Sequence, residues 1–248
     1  ADYFAVKHQA PPPKGLQGKT IYLLDFSYTP RIDIVKKLIE DNDFVTVLDH
    51  HETAEKLMAL KVVNFKLVLD NNHSGAYLAW KHFHTEKFIP KLVSLTEDFD
   101  LWKFKLPRVR EVSAFLETHE FDFKIWNKIA ELLDNSKTLK ECAEKGEMIL
   151  AYQKNIVRDI VSSAREVKFA GHKVLAANCP ILRSEIGHEL ALKKPPFSIV
   201  WREKGGQLHV SLRGTGKIDL AKIAEKYGGG GHKNAAGFIL RKEQAPDF

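Results

Sequence analysis

Two short apolar runs constrain this chain more than anything else in it. Ile21-Tyr22-Leu23-Leu24 ends on Asp25, and Phe44-Val45-Thr46-Val47-Leu48 ends on Asp49-His50-His51. Both have the length and side-chain character of buried strands. The segment between them has helical spacing from about Pro30 to Asp41, with Pro30 at a first-turn position that needs no N–H. A helix at about 52–60, a strand at about 62–69 and a helix starting near Ser74 repeat the pattern. Strand–helix alternation at this spacing predicts right-handed crossovers and a parallel sheet, hence an α/β fold. Ligands bind such sheets at the carboxyl ends of the strands, where Asp25, Asp49, His50 and His51 fall. Two strand-end carboxylates, with imidazoles beside one, make a hard-cation site suited to activating water. The competing reading has Asp49 capping the helix near Glu52 and the histidines in a surface loop. A second strand-end carboxylate and a glycine-rich segment near the C-terminus weigh against it.

Around this nucleus the chain divides. Tyr3 to Val6 reads as a short strand, followed by a proline hinge at Pro11-Pro12-Pro13 and a turn at Gly15–Gly18. From about 74 to 165 the pattern is mostly helical, and the later part of 122–165 reads as one long connecting helix. After about 166 it resets, with strands near 167–169 and 173–177 and a helix near 184–192. Phe197–Trp201 and Leu208–Leu212 flank Gly205-Gly206, a hairpin signal. A helix near 219–227 then runs into Gly228–Gly231, and Phe238-Ile239-Leu240 reads as a last strand. The expected organisation is a metal-binding domain over 1–125, a helical linker over 126–165 and a smaller mixed α/β domain over 166–248.

Two distant cysteines, Cys142 and Cys179, fit neither a disulfide framework nor a metal knuckle, which points to a cytoplasmic or other reducing, soluble compartment. No apolar run approaches membrane-spanning length and no signal-peptide core is present, so no membrane partner is expected. The formal charge of +6 favours an anionic partner. Its lysines, among them Lys36-Lys37, Lys103, Lys105 and Lys193-Lys194, are spread out and are compatible with a phosphate-rich substrate without establishing one.

Gly228 to Gly237 carries the second strong signal, GGGGHKNAAG. One glycine would end the preceding helix. Four free the backbone of side chains, so that the N–H groups of Gly229, Gly230 and Gly231 can converge on an anion, with His232 and Lys233 adding charge-assisted donors. Arg213, just after Val210-Ser211-Leu212, offers a planar fork to a further phosphate oxygen. Asp70 reads as a helix cap, and His73, His82 and His84 as surface histidines. Trp80, Trp102 and Trp126 read as core, with Trp201 the better base-stacking candidate.

Leu24-Asp25-Phe26-Ser27, Leu48-Asp49-His50-His51, Thr96-Glu97-Asp98, Ser211-Leu212-Arg213 and the Gly228–Gly237 segment occur in the order of the DHH phosphoesterase superfamily. The chain resembles the branch with a DHH-associated C-terminal domain: RecJ-like nucleases, nano-RNases and cyclic-dinucleotide phosphodiesterases. The resemblance implies two divalent cations, usually Mn²⁺ with Mg²⁺ as the alternative. It implies Asp25 as bridging ligand, His50 and Asp98 as ligands to one ion, His51 facing the scissile phosphate and Asp49 orienting its neighbours. It further implies that Arg213 and His232 bind substrate phosphate.

The family begins with a strand and a His-x-x-Pro-Asp-x-Asp or Asn-Cys-Pro-Asp-Gly type motif that supplies ligands to both metals. Nothing before Tyr3 provides it, so either the parent protein is longer or metal binding has been lost. The expected activity is Mn²⁺-dependent hydrolysis of phosphodiesters, foremost in short single-stranded oligonucleotides, at a cleft between the two domains and with a homodimer admitted. The alternatives are a small phosphate substrate (cyclic dinucleotide, adenosine bisphosphate, polyphosphate) and an inactive phosphate- or RNA-binding module of a larger nucleoprotein assembly.

Overall fold

The computed structural model describes residues 1–6, 10–29, 31–85 and 88–241 and divides into two compact units, Ala1–Ala151 and Tyr152–Phe248. Pro30 lies outside the described residues. The chain is mixed α/β, as the alternation predicts.

In the first unit, β1 (Thr20–Leu24), β2 (Phe44–Asp49) and β3 (Phe65–Leu69) form a parallel sheet in that order. The central strand is a near-continuous buried run, with Val45, Val47 and Leu48 fully enclosed, as a parallel strand covered on both faces must be. Helix α1 (Ile32–Asp41) buries Ile34, Val35, Leu38 and Ile39 against it, an apolar stripe at helical spacing. The link from β2 to β3 is a 3₁₀ helix, Glu52–Ala59, where the sequence suggested an α-helix. Three-residue turns place Ala54 and Leu57 one above the other, and both are fully buried.

Tyr3 to Val6 is in neither sheet. An extended segment becomes a strand only when a neighbour satisfies its backbone groups. Here the side chains anchor elsewhere: the Tyr3 ring lies 4.7 Å from that of Phe123, and Val6 packs on the α1 core.

The helical stretch comprises α2 (Gly75–Phe83), α3 (Lys91–Asp100), α4 (Val109–Leu116), α5 (Phe123–Asp134) and the long α6 (Ser136–Ser162). Asp70 does not cap α2; its carboxylate holds the Asn72 N–H in the preceding turn, and Ser74 Oγ accepts from Tyr77 N at 3.2 Å instead. Leu95, Val112, Phe115, Ile129, Leu133 and Cys142 make a second core among these helices. There α6 approaches α4 so closely that a Cβ on Gly146 would overlap the Glu111 carbonyl.

The second unit is a six-stranded sheet, β4 (Arg165–Phe169), β5 (His172–Asn178), β6 (Phe197–Lys204), β7 (Gln207–Gly214), β9 (Ala235–Arg241) and β8 (Gly230–His232), in that spatial order. The β6–β7 hairpin turns at Gly205 and Gly206, with φ of 60° and 71°, the left-handed pair that a two-residue hairpin favours. One face buries Phe197, Ile199, Leu208, Val210 and Leu212 under α8 (Leu220–Glu225). The other packs Val200 under Ile186 and Leu190 of α7 (Arg183–Lys193). No helix among the described residues is long and apolar enough to cross a membrane.

Candidate functional site

In the first unit the carboxyl ends of β1 and β2 and the last residue of α3 converge. Asp25 follows β1 directly at φ 57°, with its N–H bonded to Leu48 O at 2.8 Å. That conformation is strained for a residue with a side chain. It is also crowded: a Cβ on Gly75 would lie 2.5 Å from Asp25 Cγ and closer still to Asp25 Cβ and Oδ1. Ser74 and Gly75, which open α2, therefore form a wall that only glycine can complete.

His50 is buried, with 2% of its side chain exposed, and its Nε2 lies 3.1 Å from Asp25 Oδ1 and 3.4 Å from Asp100 Oδ2. Burial alone would pull its pKa down. The Asp25 hydrogen bond and the charges of Asp100, Asp25 and Asp49 outweigh that and hold it above the ordinary histidine value. Asp100 is pushed above the usual carboxylate range by desolvation, with Asp25 and Glu97 adding to the push and His50 pulling back. Asp49 is fully enclosed, and its Oδ1 accepts from His50 N at 2.8 Å and His51 N at 3.2 Å and pairs with His51 Nδ1 at 2.7 Å. Burial pushes this carboxyl up, but the His51 hydrogen bond and charge prevail and leave it below the usual range. Asp49 is thus an ionised buried anchor whose contacts fix the loop and the imidazole of His51.

Asp25, His50 and Asp100 bring one donor atom each to within 4.8 Å of one another, and so do Asp25, Asp49 and His51. The two groups share Asp25. Two carboxylates and an imidazole are the oxygen-and-nitrogen donor set that suits Mn²⁺ or Mg²⁺, so the residues present fit a divalent cation.

Asp98, which the resemblance puts among the ligands, lies in neither of these groups. It is buried, but its carboxylate accepts from Lys105 N at 3.1 Å and Leu106 N at 3.2 Å, and so ties down the loop after α3. Residues two apart on a helix point about 200° from each other, so only one of Asp98 and Asp100 can face the strand ends, and it is Asp100. Glu97 binds the other way, to His73 Nδ1 at 3.1 Å and Ser74 N at 3.1 Å.

In the second unit, strand register places the anion-binding candidates. Arg213 stands opposite Ala235, which stands opposite His232. Side chains of directly paired residues share a face, so Arg213 and His232 belong to one rung. Arg213 Nη2 donates to Ser184 Oγ at 2.9 Å, and burial, then the nearby Arg183 charge, holds its pKa below the ordinary value. Lys233 is exposed in the two-residue turn between β8 and β9.

The glycine run is demanded by close packing. Cβ atoms on Gly229 and Gly231 would overlap the carbonyl oxygens of Gly237 and Ala235. The N–H groups of Gly228 and Gly229 close the end of α8 on Glu225 O and Ala224 O at 3.0 and 2.9 Å. The Gly229 N–H, expected to face an anion, is thus bonded within the chain, and Gly230 to His232 pair with β9. Arg183, Arg202 and His209, which the sequence did not single out, lie beside Ser211 and Arg213: Arg183 donates to Ser211 Oγ, and Arg202 stands opposite His209. The signal for His209 was readable, because His209, Ser211 and Arg213 alternate with Leu208, Val210 and Leu212.

Residues 167–248 match the DHHA1 domain family. The sequence is 30% identical over 234 residues to the uncharacterized protein R106 of Acanthamoeba polyphaga mimivirus, covering 91% of this chain and 54% of that protein. It is 24% identical over 217 residues to the oligoribonuclease NrnB of Bacillus subtilis strain 168, covering 80% and 53%. The chain spans about half the length of the curated relatives it matches. Among solved structures, RecJ in complex with Mn²⁺ from Thermus thermophilus aligns over 90% of this chain and 42% of its own, at 14% identity and a TM-score of 0.45.

Proposed function

This chain belongs to the DHH phosphoesterase superfamily, in the branch with a DHHA1 domain, and on that premise we propose that it hydrolyses phosphodiester bonds of short single-stranded oligonucleotides with Mn²⁺ as cofactor. The observation that carries the proposal is the convergence of Asp25, His50 and Asp100 at the strand ends, in a chain whose other unit sets Arg213 and His232 on one rung. Asp25, His50 and Asp100 would hold the ion, with Asp49 and His51 beside it. A divalent cation there supplies Lewis acidity toward a phosphoryl oxygen and lowers the pKa of water.

The chain's own residues do the rest. Asp49, ionised and enclosed, keeps a proton on His51 Nδ1, so the other ring nitrogen is presented in a fixed orientation, the role of a buried carboxylate behind a working imidazole. His51 can then hold or donate a proton at a phosphoryl or leaving-group oxygen. Arg213, braced by Ser184 and by the Leu212 carbonyl at 2.9 Å, takes a non-bridging phosphate oxygen, and His232 takes another.

One observation favours a second reading, a phosphate-binding module without turnover. Asp49 Oδ1 is already committed to two backbone N–H groups and to His51, so that of this carboxylate only the buried, unpartnered Oδ2 remains for a second ion. Incubating the protein with Mn²⁺ and labelled di- to pentanucleotides tests both. Release of mononucleotide supports the proposal. Binding without release favours the module, and consumption of a cyclic dinucleotide alone moves the substrate to a small phosphate compound.

A further inference from the structure

The α7-covered face of the second sheet carries more positive charge than a single phosphate anchor uses. Arg202 of β6 stands directly opposite His209 of β7. His209, Ser211 and Arg213 follow one another at every second position and so project from one face. Arg183, the first residue of α7, donates from Nη1 to Ser211 Oγ at 3.4 Å and fills the step between them. These groups form a row that starts at Arg213 and ends at Arg202 and His209. Four residues of strand separate its ends, a span of ~14 Å.

The row has a carboxylate near it, Glu185, whose charge reaches Arg213 without forming an ion pair. Among the described residues, no ion pair joins Arg183, Arg202 or Arg213 to an acidic side chain, and Arg202 Nε is buried without a hydrogen-bond partner. The charges oppose one another: burial and then Arg202 depress the pKa of Arg183, and burial, Arg202, Arg183 and Lys204 depress that of His209. Like charges gathered at a half-buried surface are unfavourable until an anion joins them. Beside the row the floor is open. Gly237 lies opposite Ser211, and Gly230 opposite Gly237, so the middle rungs present no side chain. Ile239, opposite His209, is half-buried and apolar.

We propose that Arg183, Arg202 and His209 form a second anion subsite, which takes a phosphate further along the same strand than the one held at Arg213. Its ligand is a linear oligonucleotide of at least three nucleotides, because a dinucleotide reaches only one end of the row. Ile239 gives an apolar surface to the base beside that phosphate. The inference rests on the oligonucleotide reading above and adds a length requirement to it.

The test is fluorescence anisotropy in EDTA, so that nothing is hydrolysed, with labelled oligonucleotides of two to five nucleotides. The native protein is expected to gain about ten- to hundredfold in affinity between two and four nucleotides, the worth of a charge-assisted phosphate contact. Arg202→Gln and Arg183→Gln should each remove most of that gain while leaving dinucleotide affinity unchanged. Arg202→Lys, which keeps the charge, should retain part of it, and thermal melting verifies that each variant is folded. A length gain that survives both glutamine substitutions overturns the subsite. If no oligonucleotide of any length binds, the oligonucleotide reading is the one that fails, and pyrophosphate then judges the subsite. A His209 ring resonance that pyrophosphate shifts in the native protein but not in Arg202→Gln upholds the subsite, and one that pyrophosphate does not shift removes it.

Discussion

Gly75→Ala is the sharpest probe of the proposed metal centre, because it adds one methyl group and removes none of the proposed ligands. The new Cβ would lie 2.5 Å from Asp25 Cγ, with Asp25 Cβ and Oδ1 nearer. Ordinary carbon contacts begin at ~3.5 Å, so the Asp25 side chain must withdraw by about 1 Å. Its backbone is poorly placed to follow, being held by the Leu48 carbonyl at 2.8 Å and already at φ 57°. Metal ligands tolerate deviations of about 0.2 Å, and a misplacement of about 1 Å in a working site costs on the order of a hundredfold. Mn²⁺ affinity, measured by titration calorimetry, should therefore fall by roughly one to two orders of magnitude. The net cost to stability should be about 0–2 kcal/mol: overpacking costs ~1–3 kcal/mol, offset by ~1 kcal/mol from replacing glycine in a helix. Ser74→Ala is the matched control, losing the α2 cap, worth ~1 kcal/mol, while keeping its metal. A readout without metal exists as well. Displacing Asp25 weakens its hydrogen bond to His50, so the His50 ring should titrate lower than in the native protein. Native Mn²⁺ affinity and an unmoved His50 titration in Gly75→Ala would refute the placement of Asp25 against Gly75.

Further expectations divide the site from its scaffold. Asp100→Ala should abolish high-affinity Mn²⁺ binding in calorimetry without lowering the melting temperature, since it removes a carboxylate already desolvated beside Asp25. Asp98→Ala should do the reverse, keeping the metal while losing about 1–3 kcal/mol in denaturant unfolding, because two loop N–H groups are left without their acceptor. Gly146→Ala should destabilise the first unit by ~3 kcal/mol in the same assay, because the Glu111 carbonyl it meets is backbone and cannot rotate away. His209 carries a pH signature. Its folded pKa lies below the ordinary value, so above about pH 6.5 it is neutral in both states and contributes nothing. As pH falls below that, the unfolded chain takes up a proton that the folded chain resists, and stability is lost. His209→Gln should lose less stability than the native protein between about pH 7 and 5; equal losses would show that His209 is not held neutral.

Much of this was legible in the residues themselves. The strand ending on Asp49 announced itself by composition, because a parallel strand covered on both faces has to be apolar throughout, whereas the one ending on Asp25 is equally apolar but leaves Tyr22 and Leu24 exposed. Gly205-Gly206 marked its hairpin for an equally local reason. What the sequence could not settle were choices made by tertiary contacts. Asp98 and Asp100 are chemically alike and two apart, and only the placing of α3 decides which meets His50. Gly75 looked like a helix start, and nothing local says that Asp25 stands against it. The glycines at 229 and 231 suggested an anion cradle, whereas close passage of β8 across β9 already requires them. Arg183 and Arg202, far apart in the chain, meet only because α7 lies across the β6–β7 hairpin.

The turn at Gly205-Gly206 has a reach well beyond its two residues. It sets Lys204 against Gln207, and every later pairing of β6 with β7 inherits that alignment. Side chains alternate between faces with a period of two, so a one-residue slip would exchange them wholesale. Leu208, Val210 and Leu212 would leave the core under α8 for the α7-covered face, and His209, Ser211 and Arg213 would turn into the apolar interior. Deleting one glycine from a loop that touches no ligand would therefore erase the cationic row as surely as mutating each of its members. The same alternation divides the labour of one strand: 208, 210 and 212 build the core under α8, while 209, 211 and 213 carry the row, with Ser211 and Arg213 tied to Arg183 and Ser184 of α7.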